Sequence, residues 1–231
     1  RYHVHALRHR RRLWPGFTQP LGAWLAAFTP RATALLLVGP SAGYCLPAAW
    51  LGRFATVDAL EPDPLARWLL GRRFPTLRGR LHWHHASYLT PTADGLSPAR
   101  LADLARDFPA HAIVFCNLLG QLAHLHPEAV AAPSFPAWKD QLGRILAARE
   151  WATFHDRLSG PLAPQLAGLS AAVPAPLTDE ELMARFYVET PGQRVELQSH
   201  LTAGLFPAHA RHYLAWQLVP GWFHLIEAIH S

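Results

Sequence analysis

Apolar residues in this chain fall into short unbroken runs, separated by stretches with helical spacing. The first run, Leu35-Leu36-Leu37-Val38, leads into the turn Gly39-Pro40-Ser41-Ala42-Gly43. Runs of this length bounded by turn residues read as strands buried on both faces, as in a parallel sheet covered by helices. The pattern predicts strands over 33–38, 55–61, 80–86, 111–116 and 151–154, the last ending in His155-Asp156. Helices are expected over 44–53, 64–74, 97–107 and 138–149. A leading helix over 16–29 sets Leu21, Trp24, Leu25 and Phe28 on one face and stops at Pro30. Pro64 suits a first helical turn and Ser97 an N-cap.

Beyond the fifth strand the pattern changes. Residues 158–176, rich in Pro, Gly and Ala, read as a loop. Thr178 with Glu181 forms a capping box that opens a helix to about Tyr187. Three strand-like stretches follow, 194–200, 212–219 and 222–229, and Pro220-Gly221 turns the last two against each other. Short links of this kind require antiparallel neighbours. The expected fold is an α/β three-layer sandwich whose mostly parallel central sheet carries an antiparallel C-terminal edge. We expect a single domain over 1–231, with a leader over 1–13 and the first packed helix within 14–30.

Composition adds little to this picture and removes some function classes. With 231 residues, half of them hydrophobic, the chain can bury a full core. The 21 Lys+Arg exceed the 16 Asp+Glu, but Arg1, Arg8, Arg10, Arg11 and Arg12 supply the excess: 21 − 5 leaves 16 against 16. A neutral body argues against an extended nucleic-acid surface. The basic leader reads as a solvated arm. Cys45 and Cys116 lie in apolar surroundings, as free thiols would in a reducing compartment. No secretory or membrane-spanning pattern is evident, so a cytoplasmic protein is expected.

Open α/β sheets bind ligands at the carboxyl ends of their strands. Those ends carry Gly39–Gly43, Glu61, His85–Ser87, Asn117–Gln121 and His155–Asp156. A glycine turn lets backbone N–H groups approach a ligand, and an acid closing the next strand can accept from ribose hydroxyls. The rim is therefore expected to hold a nucleoside-bearing cofactor.

In these motifs the chain resembles the class I S-adenosylmethionine-dependent methyltransferases, from the leading helix to the final antiparallel hairpin. The resemblance implies that Gly39, Ser41 and Gly43 cradle the methionine part of S-adenosylmethionine. It implies that Glu61, with Asp63 just after it, takes the ribose. His85 and Ala86 would stand at the adenine, and Asn117 and Leu118 in the motif after the fourth strand. The chain departs from the family pattern at Leu37, where an acid is usual, at Ser41 in place of the middle glycine, and at His85 in place of the adenine-motif Asp. The implied activity is methyl transfer to a small-molecule or protein acceptor. No Asn-Pro-Pro-aromatic signature of nucleic-acid amino methylation follows the fourth strand. The acceptor pocket is expected between Gln121, His155–Asp156 and the loop after 158, with His155 and Asp156 as candidate catalytic residues. Such a base matters only if the acceptor must lose a proton.

Other readings compete. Gly39-x-Ser41-x-Gly43 also matches the nucleophile elbow of α/β-hydrolases, with Asp156 or Asp179 and His200 or His224 downstream. Only 38 residues precede Gly39, too few for the strands that come before that elbow. A nicotinamide-binding G-x-G-x-x-G is poorly matched, because Ser41 and Tyr44 stand where glycines belong. His82, His84 and His85 lack partners at zinc spacing and alternate across a strand. A protein of this fold that binds the cofactor, or a partner, without catalysis is the third reading.

Overall fold

The computed structural model describes residues 2–84, 88–188 and 196–231. Its sheet follows the apolar runs. Strands β1 (Ala34–Val38), β2 (Thr56–Leu60), β3 (Leu81–His84), β4 (His111–Cys116) and β5 (Trp151–Gly160) are joined in parallel. The hairpin β7 (Arg211–Val219) and β8 (Trp222–His230) adds to β5 antiparallel, after the two-residue β6 (Gln198–Ser199). The order across the sheet is β3-β2-β1-β4-β5-β8-β7, with β6 on the flank of β5. This is a Rossmann-like architecture, mostly parallel with an antiparallel C-terminal edge.

Alternation along the strands makes three layers. Leu35 and Leu37 face one apolar layer, and Leu36 and Val38 the other; all four are at most 1% exposed. Each such side chain contributes roughly 2 kcal/mol through burial. The first layer is covered by α1 (Tyr2–His9), α2 (Pro15–Ala27), α3 (Ala48–Leu51) and α4 (Pro64–Arg73). The second is covered by α5 (Pro98–Asp107), α6 (Leu118–Leu125), α7 (Pro127–Ala131) and α8 (Phe135–Ala147). A third cluster forms where α9 (Asp179–Phe186) lies on the far ends of β5, β7 and β8. The Thr178–Glu181 capping box is formed at its start.

Several expectations are corrected. The helix expected over 44–53 shrinks to Ala48–Leu51. Gly43 takes φ +63°, and the residue before Pro47 is held out of the helical region by the proline ring. Two helices, α6 and α7, occupy 118–131, where none was expected. Their signal, Leu119, Leu122 and Leu125 at helical spacing, is short and ends at Pro127. The expected strand over 194–200 is reduced to Gln198–Ser199 among the described residues. The fifth strand does not end at Asp156 but continues to Gly160, every residue buried. In its polar run, His155 and Asp156 pair with Glu227 and Ile226 of β8, and Arg157 sits where the register shifts. The leader is not a solvated arm: it forms α1, with Ala6 fully buried. Tyr2 packs among Trp14, Tyr44 and Trp216, with ring centroids 5.8–6.5 Å away. Most of the nine tryptophans are core, although Trp68 and Trp222 are exposed.

Candidate functional site

The bend after β1 is the first part of the rim. Gly39 and Gly43 have φ +67° and +63°, and Ser41, with φ +50°, adopts the same left-handed region. A non-glycine residue held there stores strain and tends to mark functional backbone. Gly39 N–H donates to the Leu60 carbonyl at 3.0 Å, which lays the bend across the end of β2. The next residue, Glu61, folds back toward it. Its two carboxylate oxygens accept from Ser41 N–H at 2.8 Å and Asp63 N–H at 3.0 Å. Glu61 is 6% exposed. Burial raises its carboxyl, partly offset by the two backbone donors. A carboxylate offers about four acceptor positions, so two remain for other donors.

Two cavities meet at this bend. One, of about 270 Å³, is lined by Glu61, Leu60, Tyr88, Leu89 and Leu122. The other, of about 370 Å³, runs from Ser41 past Cys45 and Asn117 to Asp156, Trp216 and His224. Gly39 and Leu118 border both. A Cβ at Gly39 would stand 3.0 Å from that of Leu118, so any larger residue here would crowd the junction. The two spaces suit an elongated ligand with a sugar-bearing end at Glu61 and a second end beyond the bend.

The larger cavity ends on a buried polar cluster. Asn117, at the start of α6, has φ +58° and ψ 9°, a conformation asparagine tolerates. Its amide straps β4 to β5: Nδ2 donates to Asp156 Oδ2 at 3.0 Å, and Oδ1 accepts from Asp156 N–H at 2.9 Å. Gln121 Nε2 also donates to Oδ2. The other oxygen, Oδ1, lies 2.9 Å from His224 Nδ1. Burial pushes the Asp156 carboxyl up, but His224, His200 and Asn117 outweigh it and hold it at about 2. It is therefore ionised, and His224 donates through Nδ1.

A β-bulge assembles this cluster. The β5–β8 register shifts between Asp156 and Leu158, so that Ser159 rather than Leu158 pairs with His224. Strict alternation would set Asp156 and Ser159 on opposite faces; the bulge puts both on the face of His224. His200 completes it: Nδ1 lies 2.7 Å from the Gly120 carbonyl and Nε2 3.0 Å from Ser159 Oγ. Asp156, His200 and His224 bring their donor atoms within 4.8 Å of one another. They are nevertheless a poor metal site. A carbonyl only accepts, so His200 Nδ1 carries the proton, and Nε2 accepts from Ser159. No ligand lone pair of His200 is left.

The expected site residues divide accordingly. Gly39, Ser41, Asn117, Leu118, Gln121 and Asp156 come together around the larger cavity, and Glu61 stands at the smaller one. Gly43 lines neither; its missing Cβ makes room for the Phe74 ring, which a methyl would approach to 2.6 Å. Asp63 caps α4 through Leu65 N–H at 2.9 Å and meets His3 at 3.1 Å. His85 and Ala86 lie outside the described residues. His155 is not brought to the cavity, which corrects its candidacy as a catalytic residue. It sits on the opposite face of β5, fully buried, 3.2 Å from Glu227. Arg157 and Arg211 meet the same carboxylate at 3.0 and 3.3 Å. Its place at the cavity is taken by His224, considered in the sequence only as a member of a hydrolase triad. Ser41 finds no such triad: among the described residues no histidine lies within hydrogen-bond distance of its hydroxyl. Cys45 and Cys116 line the cavity as free thiols, both pushed up by burial, Cys45 to about 12. Among the described residues no helix is long and apolar enough to cross a membrane.

No family model and no curated protein matches the chain. Solved structures do match in outline. One is the methyltransferase domain of bacterial CtHen1-C, 11% identical over 62% of this chain and 65% of its own, with a TM-score of 0.39. A second is a SAM-dependent methyltransferase from Thiobacillus denitrificans in complex with S-adenosyl-L-homocysteine, 11% identical over 68% and 56%, TM-score 0.39. A third is the N-methyltransferase NodS from Bradyrhizobium japonicum, also with S-adenosyl-L-homocysteine, 14% identical over 93% and 84%, TM-score 0.43. The chain spans less than two thirds of the length of the first two. At such identities the likeness is one of fold, and function rests on the rim itself.

Proposed function

We propose that the chain is an S-adenosylmethionine-dependent methyltransferase acting on a small-molecule or protein acceptor. The observation that carries this reading is the pairing of Glu61 with the bend. A buried carboxylate with acceptor positions to spare faces left-handed backbone, and a cavity opens on either side of Gly39. Glu61 would hold the ribose hydroxyls, with the adenine between Tyr88, Leu89 and Leu122. Gly39 and Ser41 would hold the amino-acid end by their backbone, and Leu118 would lie under the sugar.

The bound cofactor would supply an electrophilic methyl on sulfur. The chain's own task is then to hold an acceptor in line with that methyl and to exclude water. The apolar walls of the larger cavity (Tyr2, Leu46, Phe154 and Trp216) serve the second purpose. Helix α1 closes that side, with Tyr2 and His5 on the cavity wall. A crystal soaked with S-adenosylhomocysteine tests the placement. The expected density runs from Glu61 over Gly39 into the larger cavity; density elsewhere, or none at saturating product, would refute it.

A further inference from the structure

The cofactor reading leaves the chemistry of His224 unused. Its ring lines the larger cavity and is 7% exposed. Nδ1 is committed to Asp156. Nε2, across the ring, is buried and has no hydrogen-bond partner among the described residues. A buried polar atom without a partner is uncommon and points to a ligand. The Asp156 carboxylate is itself fixed by Asn117 and Gln121, so it cannot turn away from the imidazole. A histidine held through one nitrogen by a buried carboxylate, with the other nitrogen left without a partner in a side chain that lines a cavity, is the arrangement of a general base.

Resting on the methyltransferase reading, we propose that His224 Nε2 is the base that deprotonates the methyl acceptor, and that the acceptor is a phenol-like hydroxyl on an apolar ring. The acceptor class follows from what the cavity offers. A neutral amine attacks with a free lone pair and needs no base, whereas a hydroxyl must shed its proton as it attacks. Among the described residues no unengaged carboxylate lines the cavity to receive a cationic amine, because Asp156 is spent on His224, Asn117 and Gln121. The remaining surroundings are aromatic and aliphatic: Trp216 lies 5.7 Å from the His224 ring, and Leu46, Phe154 and Leu218 complete the wall.

The step balances. Nε2 takes the hydroxyl proton while the acceptor oxygen forms its bond to the methyl carbon. The carbon–sulfur bond breaks and its electron pair stays on sulfur, which becomes a neutral thioether. The imidazolium so formed is stabilised by Asp156 and returns its proton to water once the product leaves.

The probe is 4-nitrophenol, whose absorbance distinguishes phenol from phenolate and needs neither cofactor nor turnover. Added to the wild-type protein somewhat below the pH at which it ionises in water, it is expected to show the phenolate band on binding. His224→Gln and Asp156→Asn are each expected to lose that band. Nitrogen-15 NMR of histidine-labelled wild-type protein adds a readout independent of any variant: His224 is expected as the Nδ1–H tautomer, its Nε2 signal moving when the phenol binds. Binding of S-adenosylhomocysteine, measured on wild type and His224→Gln, is expected to be the same. The proposal is overturned if wild type does not bind 4-nitrophenol, if the band survives in His224→Gln, or if His224 is the Nε2–H tautomer. Failure of S-adenosylhomocysteine to bind would instead sink the cofactor reading, and the phenol experiment would still decide the base.

Discussion

Replacing Gly120 by Ala sets two effects of known size against each other. Gly120 lies in the first turns of α6, where alanine is favoured over glycine by about 1 kcal/mol. Taken alone, helix propensity predicts stabilisation. However, α6 crosses β5 at this residue. A Cβ here would run into the Asp156 backbone nitrogen and stand 2.9 Å from Asp156 Cβ and 3.0 Å from its Cα. None of these atoms is the end of a flexible side chain, so the helix or the strand must move. Overpacking of this kind costs about 1–3 kcal/mol, and contact with backbone argues for the upper end. The net expectation is a loss of about 1–2 kcal/mol, which in a chain of this length lowers Tm by about 2–8 °C. The same movement would disturb the Asn117 strap, so the 4-nitrophenol band should weaken in parallel. Urea unfolding and calorimetric Tm measure the first effect. An equal or higher stability would refute the close approach of α6 to β5, and with it the placement of Asp156.

Other outcomes follow from the same geometry. Glu227→Gln leaves Arg157, Arg211 and His155 without their buried counter-charge and should destabilise by about 3 kcal/mol in urea titration; a change below 1 kcal/mol would count against that cluster. Asp156 and Glu227 are both held at about 2, below ordinary values of 3.8 and 4.5, so their contribution is present above pH ~4.5 and is lost as pH falls toward ~2. It amounts to roughly 2–3 kcal/mol each, and a stability flat across that window would contradict it. A serine-reactive fluorophosphonate should leave Ser41 unlabelled; stoichiometric labelling there would revive the hydrolase reading.

The centre of the parallel sheet, β1 and β4, was legible because burial on both faces leaves an unbroken apolar run. Glu61 was legible as the acid that directly follows the second strand-like segment, β2. The far end of β5 was not. His155, Asp156 and Arg157 look like a strand terminus, because a buried charge becomes tolerable only through partners on β8, about 70 residues later in the chain. Choosing His155 over His224 follows from the same blindness: only the pairing and the bulge decide which histidine shares a face with Asp156. The leader was misread by charge. Its five arginines outnumber the apolar residues, Tyr2, Ala6 and Leu13, that pack it against the body. The helices over 118–131 were too short and too interrupted to show a period.

The account depends most on Glu61 and the bend acting together on a nucleoside. Isothermal calorimetry with S-adenosylhomocysteine, on wild type and on Glu61→Ala, tests that most directly. Wild type should bind, and loss of the carboxylate should weaken binding by about 10- to 100-fold, the worth of about 1.5–3 kcal/mol in charge-assisted hydrogen bonds. Equal affinity in the two proteins, or no heat from wild type, would contradict it.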